Sequence, residues 1–248
     1  MAVTRALLLL TLALLLGGCA GGDEAADETT TDSTVTLPAF STARVYWLRD
    51  GKVWPAAREV ETSGEPGAAV LDELLVGPTD DDPAESETAI PAGTEVGDFA
   101  VEGGVARITP SSALSNEALA QVVYTLTDLP GVDSVEIDGQ SYTRADFEDQ
   151  TPAILVESPL PFEEVSSPLG VTGSANTFEA TFQYELVGAD GSVVDKNFVT
   201  ATSGTGTRGT FDFTTDTFEA VAALRVFELS AKDGSRINEI EIPLGTGS

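Results

Sequence analysis

Apolar and polar side chains alternate without a break from residue 178 to 186, with Phe178, Ala180, Phe182, Tyr184 and Leu186 set against Glu179, Thr181, Gln183 and Glu185. A period of two places the first set on one face of a pleated strand, so the segment predicts a half-buried β-strand. Residues 171–173, 193–194, 198–199, 210–213, 224–229 and 237–242 read as further short strands, with Asp190-Gly191-Ser192 and Asp233-Gly234-Ser235 as turns. About seven short strands in under about a hundred residues imply a β-sandwich.

The pattern upstream is mixed. Val45-Tyr46-Trp47-Leu48 and Lys52-Val53-Trp54 flank Asp50-Gly51, which predicts a hairpin. Pro66 suits the first turn of a helix that places Leu71, Leu74 and Leu75 on one face and stops at Gly77-Pro78. A second hairpin is predicted around Gly103-Gly104, between 99–101 and 105–108. Ser115 can cap a second helix whose Leu119, Val122, Val123 and Leu126 follow the i, i+3, i+4, i+7 rule. Pro130-Gly131 ends that helix, and Val135-Glu136-Ile137 before Asp138-Gly139 reads as the last strand of an α+β domain. Between 151 and 168, Pro152, Pro159, Pro161 and Pro168 bar a helix and mark a boundary. The expected division is an α+β domain over 38–150 and an all-β immunoglobulin-like sandwich over 151–248.

The first 37 residues follow neither pattern. Arg5 precedes the apolar run Leu7-Leu8-Leu9-Leu10-Thr11-Leu12-Ala13-Leu14-Leu15-Leu16, which is too short for the roughly 20 residues that span a bilayer. It has the layout of an export leader over 1–18. Leu16-Gly17-Gly18-Cys19 resembles the bacterial lipobox, and Cys19 is the only cysteine in the chain. The resemblance implies cleavage before Cys19, a thioether-linked diacylglycerol on its sulfur and an amide-linked acyl group such as palmitate. Two buried acyl chains suffice for stable anchoring. The competing reading is a plain secretory signal with an incidental thiol. The remainder of 19–37, rich in Gly, Ala, Asp, Glu, Thr and Ser, has almost nothing to bury and predicts a disordered acidic tether.

Composition narrows the partners. Taking the 18 leader residues from 248 leaves 230, and with Arg5 removed they set 11 basic against 41 acidic side chains, a formal charge of −30. Such a surface repels nucleic acid and favours basic partners. A lone cysteine allows no internal disulfide, so packing must supply the stability. The acidic stretch 80–87 offers oxygens to a cation but lacks the ligand spacing and distal glutamate of a calcium loop. It reads as a solvated loop.

Several separated motifs carry a family resemblance. Leu74-Leu75-Val76-Gly77-Pro78, Ala89-Ile90-Pro91 with Gly93-Thr94, Gly104-Val105-Ala106, and Gln121-Val122-Val123-Tyr124-Thr125-Leu126-Thr127 resemble the GerMN domain of sporulation and spore germination over about residues 41–148. Ile154-Leu155-Val156 with Ser158-Pro159, the run from Ser167 to Ala175, and Phe227-Glu228-Leu229-Ser230-Ala231-Lys232-Asp233-Gly234 resemble the immunoglobulin-like domain of bacterial spore germination. That module is known to follow GerMN domains, so the order is the family's. Both resemblances imply noncatalytic envelope modules. No blade-like repeat is present, so the signalling role of propeller-bearing GerMN lipoproteins is not carried over.

Catalytic chemistry finds little to work with. There is no histidine, the commonest general base and metal ligand, which excludes the usual serine triads and zinc sites. Lys52, Lys196 and Lys232 lie in no Ser-x-x-Lys motif, and the glycine-rich stretch 203–209 precedes no helix that would make it a phosphate cradle. Carboxylate pairs are too numerous to be informative. The chain is therefore expected to be a noncatalytic binding or scaffolding lipoprotein of the cell envelope, facing outside the cytoplasm. Its expected partners are the bilayer, through acylated Cys19, and envelope proteins; no nucleic acid, cofactor or metal is expected. The alternative is a wall-polysaccharide hydrolase using two carboxylates.

Overall fold

Asp50 and Gly51 both take positive φ, 50° and 70°, the type I′ geometry whose twist matches that of the strands it joins. They connect β1 (Phe40–Arg49) to β2 (Lys52–Glu61), paired from Arg49↔Lys52 out to Phe40↔Glu61. The computed structural model describes residues 39–62 and 66–245.

Two helices follow the predicted stripes. They are α1 (Pro66–Val76) and α2 (Asn116–Leu126), the latter capped by the Ser115 hydroxyl, which accepts from the Ala118 N–H. On α2, Val122, Val123 and Leu126 are buried, whereas Leu119 packs only at the margin. A second sheet runs in the order β3 (Val96–Glu102), β4 (Val105–Pro110), β5 (Ser134–Ile137), β6 (Gln140–Tyr142). Its β4 and β5 are parallel, with α2 in the crossover, and the other pairs are antiparallel. The strand at 135–137 is thus not the last of this half: Asp138 and Gly139, with φ 52° and 81°, turn the chain back into β6.

Seven strands form the second half: β7 (Ile154–Ser158), β8 (Gly170–Ala175), β9 (Thr181–Val187), β10 (Val193–Thr200), β11 (Gly209–Thr214), β12 (Ala223–Leu229) and β13 (Arg236–Pro243). One antiparallel sheet has the order β10-β9-β12-β13 and the other β11-β8-β7. Both sheets contribute to one apolar core, where Phe182 meets Phe211 at 4.9 Å between ring centroids and Tyr184 stacks on Phe213 at 4.7 Å.

Two expectations are corrected here. The segments 193–194 and 198–199 belong to one strand, β10. The alternation beginning at Phe178 does not start a strand. Glu179 and Ala180 take positive φ, which breaks the pleat, and Phe178 is 54% exposed in a 3₁₀ turn. The turn is fixed by the Phe178 N–H on Glu228 and the Glu179 N–H on Thr205 Oγ1.

The proline-rich boundary contains β7, and this strand serves both halves. Its period of two sends Ile154 and Val156 into the sandwich core and Leu155 into the α+β core, which also holds Tyr46, Leu74 and Val123. Trp54 of β2 in turn packs against the sandwich core. Among the described residues, no helix is long and apolar enough to cross a membrane.

Candidate functional site

The chemistry of the α+β half begins with the edge of β1 that faces away from β2 and is buried. Tyr46 and Pro55 form a non-hydrogen-bonded pair, so the Tyr46 backbone groups point away from β2 and find partners on α2. The Tyr46 N–H donates to Thr125 Oγ1 at 3.0 Å, and its carbonyl accepts from Gln121 Nε2 at 3.1 Å. Gln121 also accepts from the Ala89 N–H at 2.8 Å, so one fully buried amide ties strand, helix and the 88–90 loop together. The segment Gln121-Val122-Val123-Tyr124-Thr125 is therefore a core-facing helix whose polar members pair the backbone of an edge strand, a cost that burial would otherwise impose.

The acidic stretch 80–87 is stitched to the hairpin. Leu48 and Glu87 exchange backbone hydrogen bonds of 2.8 Å. Asp82 is buried and accepts from Trp47 Nε1 at 2.9 Å, from the Thr79 N–H at 2.7 Å and from both terminal nitrogens of Arg58. Burial alone raises the Asp82 pKa, but these donors outweigh it and the net shift is downward. Glu85 pairs with Arg49 at 3.1 Å. Among the described residues, no group of three or more acidic, cysteine or histidine side chains is placed to hold a metal ion.

A charged network joins the halves. Arg144, in the 3₁₀ segment Arg144–Gln150, donates to Glu157 of β7 at 2.6 Å and to Asp128 at 3.4 Å. Arg44 of β1 takes Asp128 at 2.7 Å, and the Tyr46 hydroxyl donates to Glu157 at 2.6 Å. The Arg144 guanidinium lies 4.8 Å from the Tyr124 ring centroid and 5.4 Å from that of Tyr46. Burial opposes its charge, yet Tyr46 and Glu157 outweigh this and hold its pKa above the ordinary value. Burial dominates at the other groups, raising the pKa of Tyr46 and that of Asp128 despite their arginine neighbours.

A second clamp is built on the 203–209 stretch. Arg208 grips Glu148 through two bonds, 2.8 and 3.0 Å, and donates to the Pro152 carbonyl at 2.8 Å. Asn176 adds a bond to Glu148 at 2.8 Å.

Beside the charged network, the two halves enclose a cleft of about 970 Å³. Its walls come from β1 and β2, the Asp81–Pro83 turn, the Asp128–Pro130 turn after α2, and the chain from Glu157 to Glu163. A smaller apolar pocket of about 180 Å³, with Trp54 in its lining, adjoins the cleft, sharing Ala56, Pro83, Pro161 and Phe162 with it.

Cys19, the leader and the tether lie outside the described residues. The junction residues Arg144, Glu157, Asp128, Arg208 and Glu148 were not singled out by the sequence patterns. Pairs separated by up to 60 positions leave no periodic trace. The available signal was scarcity: 12 basic side chains face 41 acidic ones, so each arginine has many carboxylates to choose from.

The comparisons bear on each half separately. Residues 44–143 match the family model described as sporulation and spore germination, and residues 153–235 match that of the immunoglobulin-like domain of bacterial spore germination. No curated protein matches the chain. Similar solved structures include the tandem GerMN domains of the sporulation protein GerM from Bacillus subtilis, at 22% identity and a TM-score of 0.35 over 42% of each chain. Another is a protein from Clostridium perfringens described as a lipoprotein, at 15% identity and a TM-score of 0.29 over 46% of this chain and 95% of that one. The chain thus spans well under two thirds of the GerM structure. Residues 44–143 form a domain of the sporulation and spore germination family, and residues 153–235 an immunoglobulin-like domain of bacterial spore germination.

Proposed function

We propose that this protein is a noncatalytic binding or scaffolding lipoprotein of the cell envelope, anchored to the membrane through acylated Cys19 and held outside the cytoplasm. The observation that carries the noncatalytic reading is the use made of Asp82, Asp128 and Glu157, three of the carboxylates lining the cleft. A glycosidase needs one protonated and one ionised carboxylate flanking the bond it cleaves. Asp128 and Glu157 instead share the guanidinium of Arg144, and Asp82 is held by Arg58 and Trp47. Such carboxylates fix geometry. The two germination-type domains and the groove between them support recognition as the task, and the lipobox-like Leu16-Gly17-Gly18-Cys19 supports the anchor.

Two experiments test this reading. Acyl labelling of wild type and Cys19→Ala in the native host is expected to mark only the wild type; an intact mass without added lipid overturns the anchor. Pulldown from detergent-solubilised membranes is expected to recover stoichiometric envelope proteins. Release of wall fragments by the purified chain, abolished by a single carboxylate-to-amide change that leaves folding intact, would establish the hydrolase instead.

A further inference from the structure

We propose that the groove formed by the junction cleft and its adjoining apolar pocket docks an extended basic peptide segment of an envelope protein, with Phe162 as the aromatic anchor. The proposal rests on the binding reading above and names its site. Phe162 lines both cavities, is 54% exposed and has φ of 64°, a region bulky residues rarely adopt. The backbone is held there: the Phe162 N–H donates to the Pro243 carbonyl at 2.7 Å, and the Leu160 N–H donates to the Glu163 carboxylate at 2.7 Å. A fixed turn thus keeps a large ring in water, at a cost in both strain and solvation. Around it, Pro55, Pro83, Pro161, Pro243 and Trp54 make a stiff apolar wall.

Charge selects the occupant. The cleft is lined by the carboxylates of Asp81, Asp128, Glu157 and Glu163, while its guanidinium groups, Arg44 and Arg58, are already paired with Asp128 and the buried Asp82. Among the described residues the Asp81 carboxylate has no partner. Asp128 and Glu157 take their donors on one oxygen each, Oδ1 and Oε1, leaving the second oxygen of each for an incoming N–H. The cleft volume suits a few residues of extended chain. A peptide fits better than a glycan. Arg49 takes one face of Trp54, at 5.6 Å from its ring centroid, and neither cavity is lined by Asn or Gln, the side chains suited to the hydroxyls of a sugar.

The test is fluorescence anisotropy on the full chain, using a labelled nonapeptide of three Lys-Leu-Pro repeats and the same peptide with Glu for Lys. Saturable binding of the lysine peptide is expected, with none for the glutamate peptide. Phe162→Ala should weaken binding about tenfold or more, as loss of a central aromatic anchor does. Asp81→Asn should weaken it about twofold to threefold at low salt, with the difference vanishing at high salt. Phe162→Gly, which relieves the backbone, is the second variant if Phe162→Ala folds poorly. No binding by the wild type, equal binding by the Phe162 variants or by the glutamate peptide, or competition by wall glycan oligosaccharide in place of unlabelled peptide would each overturn the proposal. If membrane pulldown recovers the same partners with wild type and Phe162→Ala, the groove is excluded while the scaffold reading stands.

Discussion

The junction between the halves and the outer face of the sandwich both carry arginine-carboxylate networks, and they are built differently. On the sandwich, Arg225 of β12 pairs with Glu185 of β9 and Glu241 of β13, its direct cross-strand neighbours, and Arg236 adds a second bond to Glu185 while lying 4.0 Å from the Phe227 ring centroid. Glu239 and Glu241 are about half exposed, whereas Glu185 is buried between Arg225 and Arg236. At the junction, Arg144 and Arg44 are 29% exposed and Glu157 and Asp128 16% and 20%, and the partners come from a 3₁₀ segment, β1, β7 and the turn after α2 rather than from neighbouring strands of one sheet. The ladder relieves repulsion within one sheet of an acidic protein. The junction network ties the α+β half to the first strand of the sandwich, and so fixes the groove. Charge pairs of the same chemistry thus serve local solubility in one place and domain geometry in the other.

Cutting the chain gives the largest expected effect. Fragments 38–150 and 151–248 are proposed to fold separately, but the first loses Leu155 from its core and Glu157 from Arg144. Loss of a buried leucine alone is worth about 2–5 kcal/mol. Fragment 38–150 should therefore unfold at lower urea than a fragment extended to 158, with both transitions cooperative. Equal midpoints would show that β7 matters only to the sandwich.

Next is Arg144→Met. It leaves Glu157 with only the Tyr46 hydroxyl and is expected to cost about 3 kcal/mol, as breaking one side of a largely buried pair does. Urea unfolding of Arg144→Met, Glu157→Gln and the double variant should give a coupling of about 1–3 kcal/mol. Arg225→Ala on the ladder leaves the buried Glu185 its bond from Arg236 and only the exposed Glu241 unpaired, so it should cost less than Arg144→Met, about 1 kcal/mol, and less in high salt. Similar losses at the two sites would erase the distinction between them.

Much of the fold was legible wherever one segment carries its own signal. Ser115 capped its helix, and Asp50-Gly51 made its hairpin, because both work within a few residues. Asp138-Gly139 had the same signature as Asp50-Gly51, but the strand it introduces is only three residues long, too short to show a period. Phe178 was misplaced because positive φ at Glu179 and Ala180 is imposed by contacts with Thr177, Thr205 and Glu228, which are distant or carry no pattern. The groove was invisible for the same reason. Phe162 sits among prolines in a stretch that reads only as a boundary, and its exposure follows from a hydrogen bond to Pro243, 81 positions on.

The smallest effect separates the two junction clamps by pH. Burial raises the pKa of Glu148, but Arg208 and Asn176 outweigh it, and the net shift is downward. Its stabilisation is therefore complete above its unfolded pKa of about 4.3 and is lost as pH falls through the lower folded value. Asp128 has the opposite sign. Burial raises its pKa, so its ionised form costs stability above the unfolded value of about 3.9, and protonation relieves that cost first in the folded state. Glu148→Gln should lower stability at pH 7 by about 1 kcal/mol or less, since Glu148 is 41% exposed, and should make the acid decline shallower. Asp128→Asn should make the decline between about pH 5 and 3 steeper, because it removes a group that takes up its proton in the folded state first. Thermal melts of both variants across that window check the pair of signs, and slopes that change in the same direction would show that the two clamps do not act as opposed carboxylates.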